Sequence, residues 1–239
     1  MFTLLMQLIG SATLAWDVCV IVRTCPSHRV QLPALLLSLL AATESQPGTS
    51  VLGVVVDTEN HGRSLAYIDR AIVLASMMTS DKSVFHAVNH RMPGFVGNRT
   101  LYGYDATQLV LDSMMLGGGG GGGSDCTYFL FTNGDNLYSR YLFTSLHDKM
   151  QARVDLIAFD FVSHHIGNQM HPVAFQFAEI DLGSALVTRA VLQTTKATFF
   201  REPDHYYRAY SGDWTLFEKL MTDRNMQRAI VRKVLFLHM

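Results

Sequence analysis

Tyr128-Phe129-Leu130-Phe131-Thr132-Asn133-Gly134-Asp135-Asn136 decides how this chain is built. A short aromatic and apolar run stops at a polar tetrad. Its length, bulk and bounding turn residues predict a buried strand. The tetrad then lies at the strand's carboxyl end, the edge at which open α/β sheets bind ligands. Asp135, next to a glycine that lets backbone approach closely, suits a divalent metal carrying phosphate oxygens. The same four residues also suit a plain capping turn, because Asx-Gly pairs favour turns.

Upstream, Asp17 to Thr24 is a β-branched run ending in the polar pair Arg23-Thr24, as a central parallel strand would. Leu32 to Ala42 predicts a helix buried against a sheet, with Pro33 fitting its first turn. Val51 to Val56 predicts a second buried strand, ending in Asp57-Thr58-Glu59-Asn60. Ser64 to Met78 has helical spacing, with Leu65, Ile68, Ile72 and Leu74 expected inward. Val84 to Val88 suits a short third strand, and Tyr102 to Met115 a further helix. Alternating strands and helices are the signature of a parallel sheet with right-handed crossovers. Asp57 then shares an edge with Asp135, although an aspartate after a strand also serves as a helix cap.

Downstream, Ser139 to Met150 predicts a helix and Asp155 to Phe161 a strand. The strand runs into His164-His165. On an extended segment adjacent side chains point to opposite faces, which makes the two histidines poor joint ligands for one metal. Val173 to Ile180 is expected to form another strand. Gly183 to Thr188 is small and apolar and leads into a helix from Arg189. Gly212-Asp213-Trp214 opens a helix running to about Met221, with Asp213 at its amino terminus, where a cap is the simplest role. A final apolar strand ends at His238.

The 239 residues suit one large domain, and a composition 49% hydrophobic allows a sizeable core. A net charge of -1 gives no electrostatic case for nucleic acid. Cys19, Cys25 and Cys126 form neither a zinc pattern nor a disulfide framework, and Cys19 and Cys126 are expected as small buried hydrophobes. Residues 1–16 are mostly apolar, either packed on the domain or a remnant of an anchor, so membrane association stays open. Residues 17–239 form the main domain. The run Gly117 to Gly123, followed by Ser124, has no phosphate-loop spacing and is expected as a surface insertion. Asn98-Arg99-Thr100 is a glycosylation triplet that matters only in a secretory lumen. Compartment is left open between the secretory pathway or Golgi and the cytoplasmic face of a membrane.

In their order, these segments resemble the GT-A class of nucleotide-sugar glycosyltransferases, especially the large inverting group known as family 2. The strand ending at Thr24, then Arg29, then Leu32-Pro33-Ala34-Leu35-Leu36-Leu37-Ser38-Leu39 looks like that family's opening. Val54-Val55-Val56-Asp57 looks like its second strand, and Asn133-Gly134-Asp135 lies where the family carries Asp-x-Asp. Gly183 to Arg189 resembles its glycine-containing loop. Gly212-Asp213-Trp214 looks like its Glu-Asp-Trp helix start, and His238 falls where members place a metal-ligand histidine. The chain departs at Asn133, which brings no charge, and at Gly212, which replaces a glutamate.

The resemblance implies a Rossmann-like, mostly parallel central sheet flanked by helices. It implies Mn²⁺ or Mg²⁺ on Asp135 and His238, and a nucleotide-sugar donor bound by Thr24, Arg29, Asp57, Asn133 and Gly134. Asp213 becomes the general base toward a hydroxyl of a glycan, lipid or protein acceptor. A catalytically inactive nucleotide- or glycan-binding domain is the alternative, motivated by Asn133 and Gly212. A nucleotidyltransferase ranks lower, because the turn after the first strand, Arg23 to Arg29, contains no glycine.

Overall fold

The computed structural model describes residues 15–58, 66–78, 83–88, 103–116, 125–199 and 212–239. The amino-terminal segment up to residue 14, the Asn98 triplet and the Gly117–Ser124 run lie outside these residues. So do Glu59 to Leu65, the Gly94 to Arg99 connection, and Tyr210 and Ser211.

The first half alternates as its sequence predicts. Strand β1 (Ala15–Thr24) is followed by α1 (Leu32–Glu44), β2 (Val51–Asp57), α2 (Ala66–Ser76), β3 (Ser83–Val88), α3 (Tyr104–Leu116) and β4 (Asp125–Asn133). Then come β5 (Leu137–Tyr138), α4 (Leu142–Gln151), β6 (Leu156–Ser163), β7 (Gln169–His171), β8 (Ala185–Thr188), α5 (Arg189–Thr195), α6 (Gly212–Leu220) and β9 (Arg228–His238).

The strands pair in the order β3-β2-β1-β4-β8-β6-β9-β5, with β7 on β6. β1 runs parallel to β2 and β4, and β2 parallel to β3. β8 is antiparallel to both β4 and β6, which restores the common direction in β6; β9 runs parallel to β6. The carboxyl ends of β1, β2, β4, β6 and β9 therefore share one edge. Chain order reverses between β1 and β4, and such a switch point opens a crevice at that edge.

Period-two alternation builds two cores. Val18, Val20 and Val22 of β1, with Tyr128 and Leu130 of β4, pack against α1, α2 and α4. Cys19, Ile21, Phe129 and Phe131 face the other way, against α3, α5 and α6. Each strand of the pair is buried on both faces, which is why it reads as an unbroken apolar run. Several expectations change. Cys19 and Cys126 lie on the same face of adjacent strands and are joined as a disulfide, with Cα atoms 5.8 Å apart. Residues 173–180 form a loop, because β7 before them already turns back along β6. Leu74 is exposed, and α2 instead buries Ile68, Ala71 and Ala75.

Candidate active site

β1 delivers Arg23 and Thr24 to the carboxyl edge, in register with Asn133 of β4 and Asp57 of β2 respectively. Beyond β4 the chain turns at once, and the Gly134 N–H donates to the Arg23 carbonyl at 2.7 Å. A Cβ on Gly134 would lie 2.4 Å from Thr24 Oγ1, so only glycine fits this crossing. The turn presents Asp135, whose Oδ2 lies 3.5 Å from His28 Nε2. Asp135 Oδ1 is buried and makes no hydrogen bond. Asn136 is held below by its side-chain N–H on Thr132 Oγ1, at 3.1 Å.

Asp213 arrives from the other side, in the first turn of α6. Tyr104 O–H donates to its Oδ1, and the Leu182 N–H donates to its Oδ2 at 3.4 Å. Burial and the neighbouring Asp213 charge push the Tyr104 hydroxyl well above its usual range, so it stays a donor. The Arg23 guanidinium stacks on the Tyr104 ring, 4.4 Å from its centroid. Arg23 is only 6% exposed. Burial works against its charge, but Tyr104, Asp213 and Asp181 outweigh that and hold its pKa above the ordinary arginine value.

Gly212 explains one departure from the family pattern. A Cβ there would come within 2.6 Å of the Tyr104 ring. Tyr104 occupies the room that a glutamate at this position would need, so the glycine and the tyrosine form one unit.

Asp181 was not expected in the site. It caps the short 3-10 turn Leu182–Ser184 by accepting from the Gly183 N–H at 2.7 Å, and its Oδ2 stands 3.3 Å from His238 Nδ1. Burial first, then the charge of Asp213, pushes its carboxyl up to about 7; Gly183 and Arg23 pull it down and Asp135 pushes it further up. The His238 imidazole is held below its usual value by burial and by His164, against the attraction of Asp135 and Asp213. These mutual influences make Asp135, Asp181, Asp213, His238 and Arg23 one electrostatic cluster.

His164 and His165 do not point to opposite faces. β6 ends at Ser163, and the next residues form a 3-10 turn, His164–Ile166, which brings the two rings together with centroids 3.7 Å apart and planes tilted by 42°. Arg29 lies exposed at the end of the turn after β1. Thr24 Oγ1 is buried without a hydrogen bond, while the Thr24 carbonyl accepts from the Thr58 N–H at 2.9 Å. Trp214 meets the exposed Phe177 edge-on, centroids 5.8 Å apart, beside Asp213.

The site therefore joins carboxylates, imidazoles and one buried cation. The carboxylate of Asp135 and the imidazole of His238 suit a divalent ion, and the unsatisfied Asp135 Oδ1 is the atom such an ion would satisfy.

No protein-family model matches this sequence, and no curated protein does. Solved structures do match in fold. The crystal structure of S. aureus TarS 1–349, a GT-A-like glycosyltransferase, superposes with a TM-score of 0.60 at 14% identity, over 93% of this chain and 60% of TarS. The TarS complex with UDP-GlcNAc matches with a TM-score of 0.58 at 15% identity, covering 92% and 58%. The complex with UDP matches at 0.60 and 13%, covering 92% and 60%. The chain spans about three-fifths of those structures. It has a GT-A-like fold.

Proposed function

We propose that this chain is a metal-dependent inverting glycosyltransferase that moves a sugar from a nucleoside-diphosphate sugar to a hydroxyl acceptor. One observation carries the reading. Asp135 follows β4, Asp213 opens α6 and His238 ends β9, so three residues remote in sequence come to the carboxyl edge of the sheet, where Asp181 and its neighbour Leu182 link His238 to Asp213. The TarS complexes with UDP and UDP-GlcNAc support a nucleotide-sugar donor on this fold and make UDP-GlcNAc the first donor to test.

Asp135 and His238 would hold Mn²⁺ or Mg²⁺, which supplies positive charge to the leaving diphosphate. Thr24 and Asp57 line the edge where the nucleoside would lie, and Gly134 lets the backbone approach the phosphates. Asp213 takes the proton of the acceptor hydroxyl as that oxygen attacks the anomeric carbon. The bond to the diphosphate breaks on the opposite face, so the configuration inverts. Such base catalysis contributes on the order of 10²–10⁴-fold in rate. Tyr104 and the Leu182 N–H fix the carboxylate's orientation, and Trp214 with Phe177 offers an apolar surface to an acceptor sugar.

The alternative is a domain that binds a nucleotide sugar without turnover. Its support is that both Asp213 oxygens already accept hydrogen bonds and that Asn133 lacks a charge. Incubation with UDP-GlcNAc and Mn²⁺, in the presence of candidate acceptors, separates the two. Asp213→Asn is expected to bind UDP as tightly as the parent and to transfer no sugar. Transfer at near the parent rate would reduce Asp213 to a helix cap.

A further inference from the structure

Strand β6 does not run on through its histidines. The Ser163 hydroxyl accepts from the His165 N–H at 3.2 Å, and the 3-10 turn closes at Gly167, whose φ of 72° is left-handed. The two imidazoles thus fall on one side. β9 runs parallel to β6 with His238 opposite Ser163, which brings a third imidazole to them. Its ring centroid lies 5.2 Å from that of His164 and 4.8 Å from that of His165. One ring nitrogen from each histidine can be chosen so that all three lie within 4.8 Å of one another.

We propose that His164, His165 and His238 form a three-imidazole site for Zn²⁺ or a neighbouring transition metal, filled without nucleotide and selective against Mg²⁺. Imidazole is a borderline ligand that suits Zn²⁺, Co²⁺ and Ni²⁺, whereas Mg²⁺ wants oxygen donors. Three protein ligands with a fourth position open is the arrangement of a reactive zinc centre. At a metal–nitrogen distance of about 2.1 Å, tetrahedral ligand atoms stand roughly 3.4 Å apart. The rings must draw together slightly, which the exposed His164 and His165 do by side-chain rotation.

The surroundings fix which nitrogens serve. His164 Nδ1 faces the His238 carbonyl at 3.2 Å, and His238 Nδ1 faces the Asp181 carboxylate at 3.3 Å. Both contacts leave Nε2 for the ion. The Asp181 carboxylate stands beside His238 as a charge neighbour that favours a metal-bound imidazole, although the contact lacks hydrogen-bond geometry.

This inference rests on the reading of His238 as a ligand in the cleft, and it adds two further ligands and the identity of the ion. Its test needs no nucleotide. Zn²⁺ is titrated into the full chain in competition with a chromophoric chelator, in the presence of excess Mg²⁺, and Co²⁺ is titrated in parallel for its visible ligand-field bands. One Zn²⁺ per chain is expected, undisturbed by Mg²⁺. The double variant His164→Ala/His165→Ala should weaken it roughly a hundredfold or more, since even a supporting residue behind a ligand costs 10- to 100-fold. His147→Ala, on α4, should leave it unchanged. Equal Zn²⁺ affinity in parent and double variant, or several weak sites shared with His147, overturns the inference. A parallel UDP titration separates the two readings. Zn²⁺ bound in the cleft with no UDP binding sinks the donor reading alone; Mg²⁺-dependent UDP binding with no Zn²⁺ site sinks this one alone.

Discussion

At the scale of single residues, the site is governed by how two half-buried aspartates, Asp181 and Asp213, share one buried arginine, Arg23. Asp181 bears the cost. Its folded pKa of about 7 lies above the ordinary aspartate value near 4, so the fold loses stability as pH climbs from about 4 toward about 7 and the carboxyl is forced to ionise. Asp181→Asn removes that penalty. In metal-free buffer its melting temperature should exceed the parent's at pH 8, and the gap should close at pH 4; an equal gap at both pH values would contradict the argument. An acid in place of Asn133, in register with Arg23, would add one more carboxylate to an edge that already carries Asp57, Asp135, Asp181 and Asp213. Gly212 makes a second case. Gly212→Ala drives a methyl into the Tyr104 ring and should cost about 1–3 kcal/mol in denaturant unfolding. A neutral result would mean that the ring moves aside freely. Tyr104→Phe keeps the ring beneath Arg23 but removes the hydroxyl from Asp213. It is expected to lower kcat with little change in KM, and unchanged kcat would show that Asp213 needs no such support.

At the scale of elements, the reversal at β8 and the bulge in β9 opposite Asp160 set where side chains arrive. The β6–β9 register shifts around Phe159, Asp160 and Phe161, and Asp160 is buried there. Its Oδ1 accepts from the Val173 N–H at 2.9 Å and from Arg232 Nη1 at 2.8 Å, pinning the 172–181 loop to the sheet. That loop carries Phe177 and leads to Asp181. Asp160→Ala strands a buried N–H and should cost about 1–3 kcal/mol, measured by denaturant midpoint. A loss within 0.5 kcal/mol would show that the loop stays put by packing alone. The same elements divide what the sequence could reveal from what it could not. The parallel strands were legible because burial on both faces writes an unbroken apolar run, and Tyr128 to Phe131 is one. Asp181 was not, because locally it is only the first residue of a capping turn. Its depth comes from β8 inserting between β4 and β6. His164 and His165 escape period-two alternation because the strand ends at Ser163 and a 3-10 turn follows.

At the scale of the whole molecule, one edge collects everything. Thr24, Asp57, Asn133 and His238 end their strands there, and Asp213 opens α6 beside them. The order of these motifs along the chain pointed to the common edge. The partners that hold them were out of reach of local reading, since Tyr104 and Asp213 stand 109 residues apart. Among the described strands, β8 is the one central strand that runs against the others, so five carboxyl ends share a single edge. If that edge binds the diphosphate of a donor, binding must depend on a divalent ion and on Asp135. The most direct measurement is calorimetric titration of UDP into the parent chain and into Asp135→Ala, each with Mn²⁺ and with EDTA. One UDP per parent chain is expected with Mn²⁺, and none with EDTA or with the variant. UDP binding that survives both EDTA and Asp135→Ala, or no UDP binding to the parent with Mn²⁺, would contradict the account.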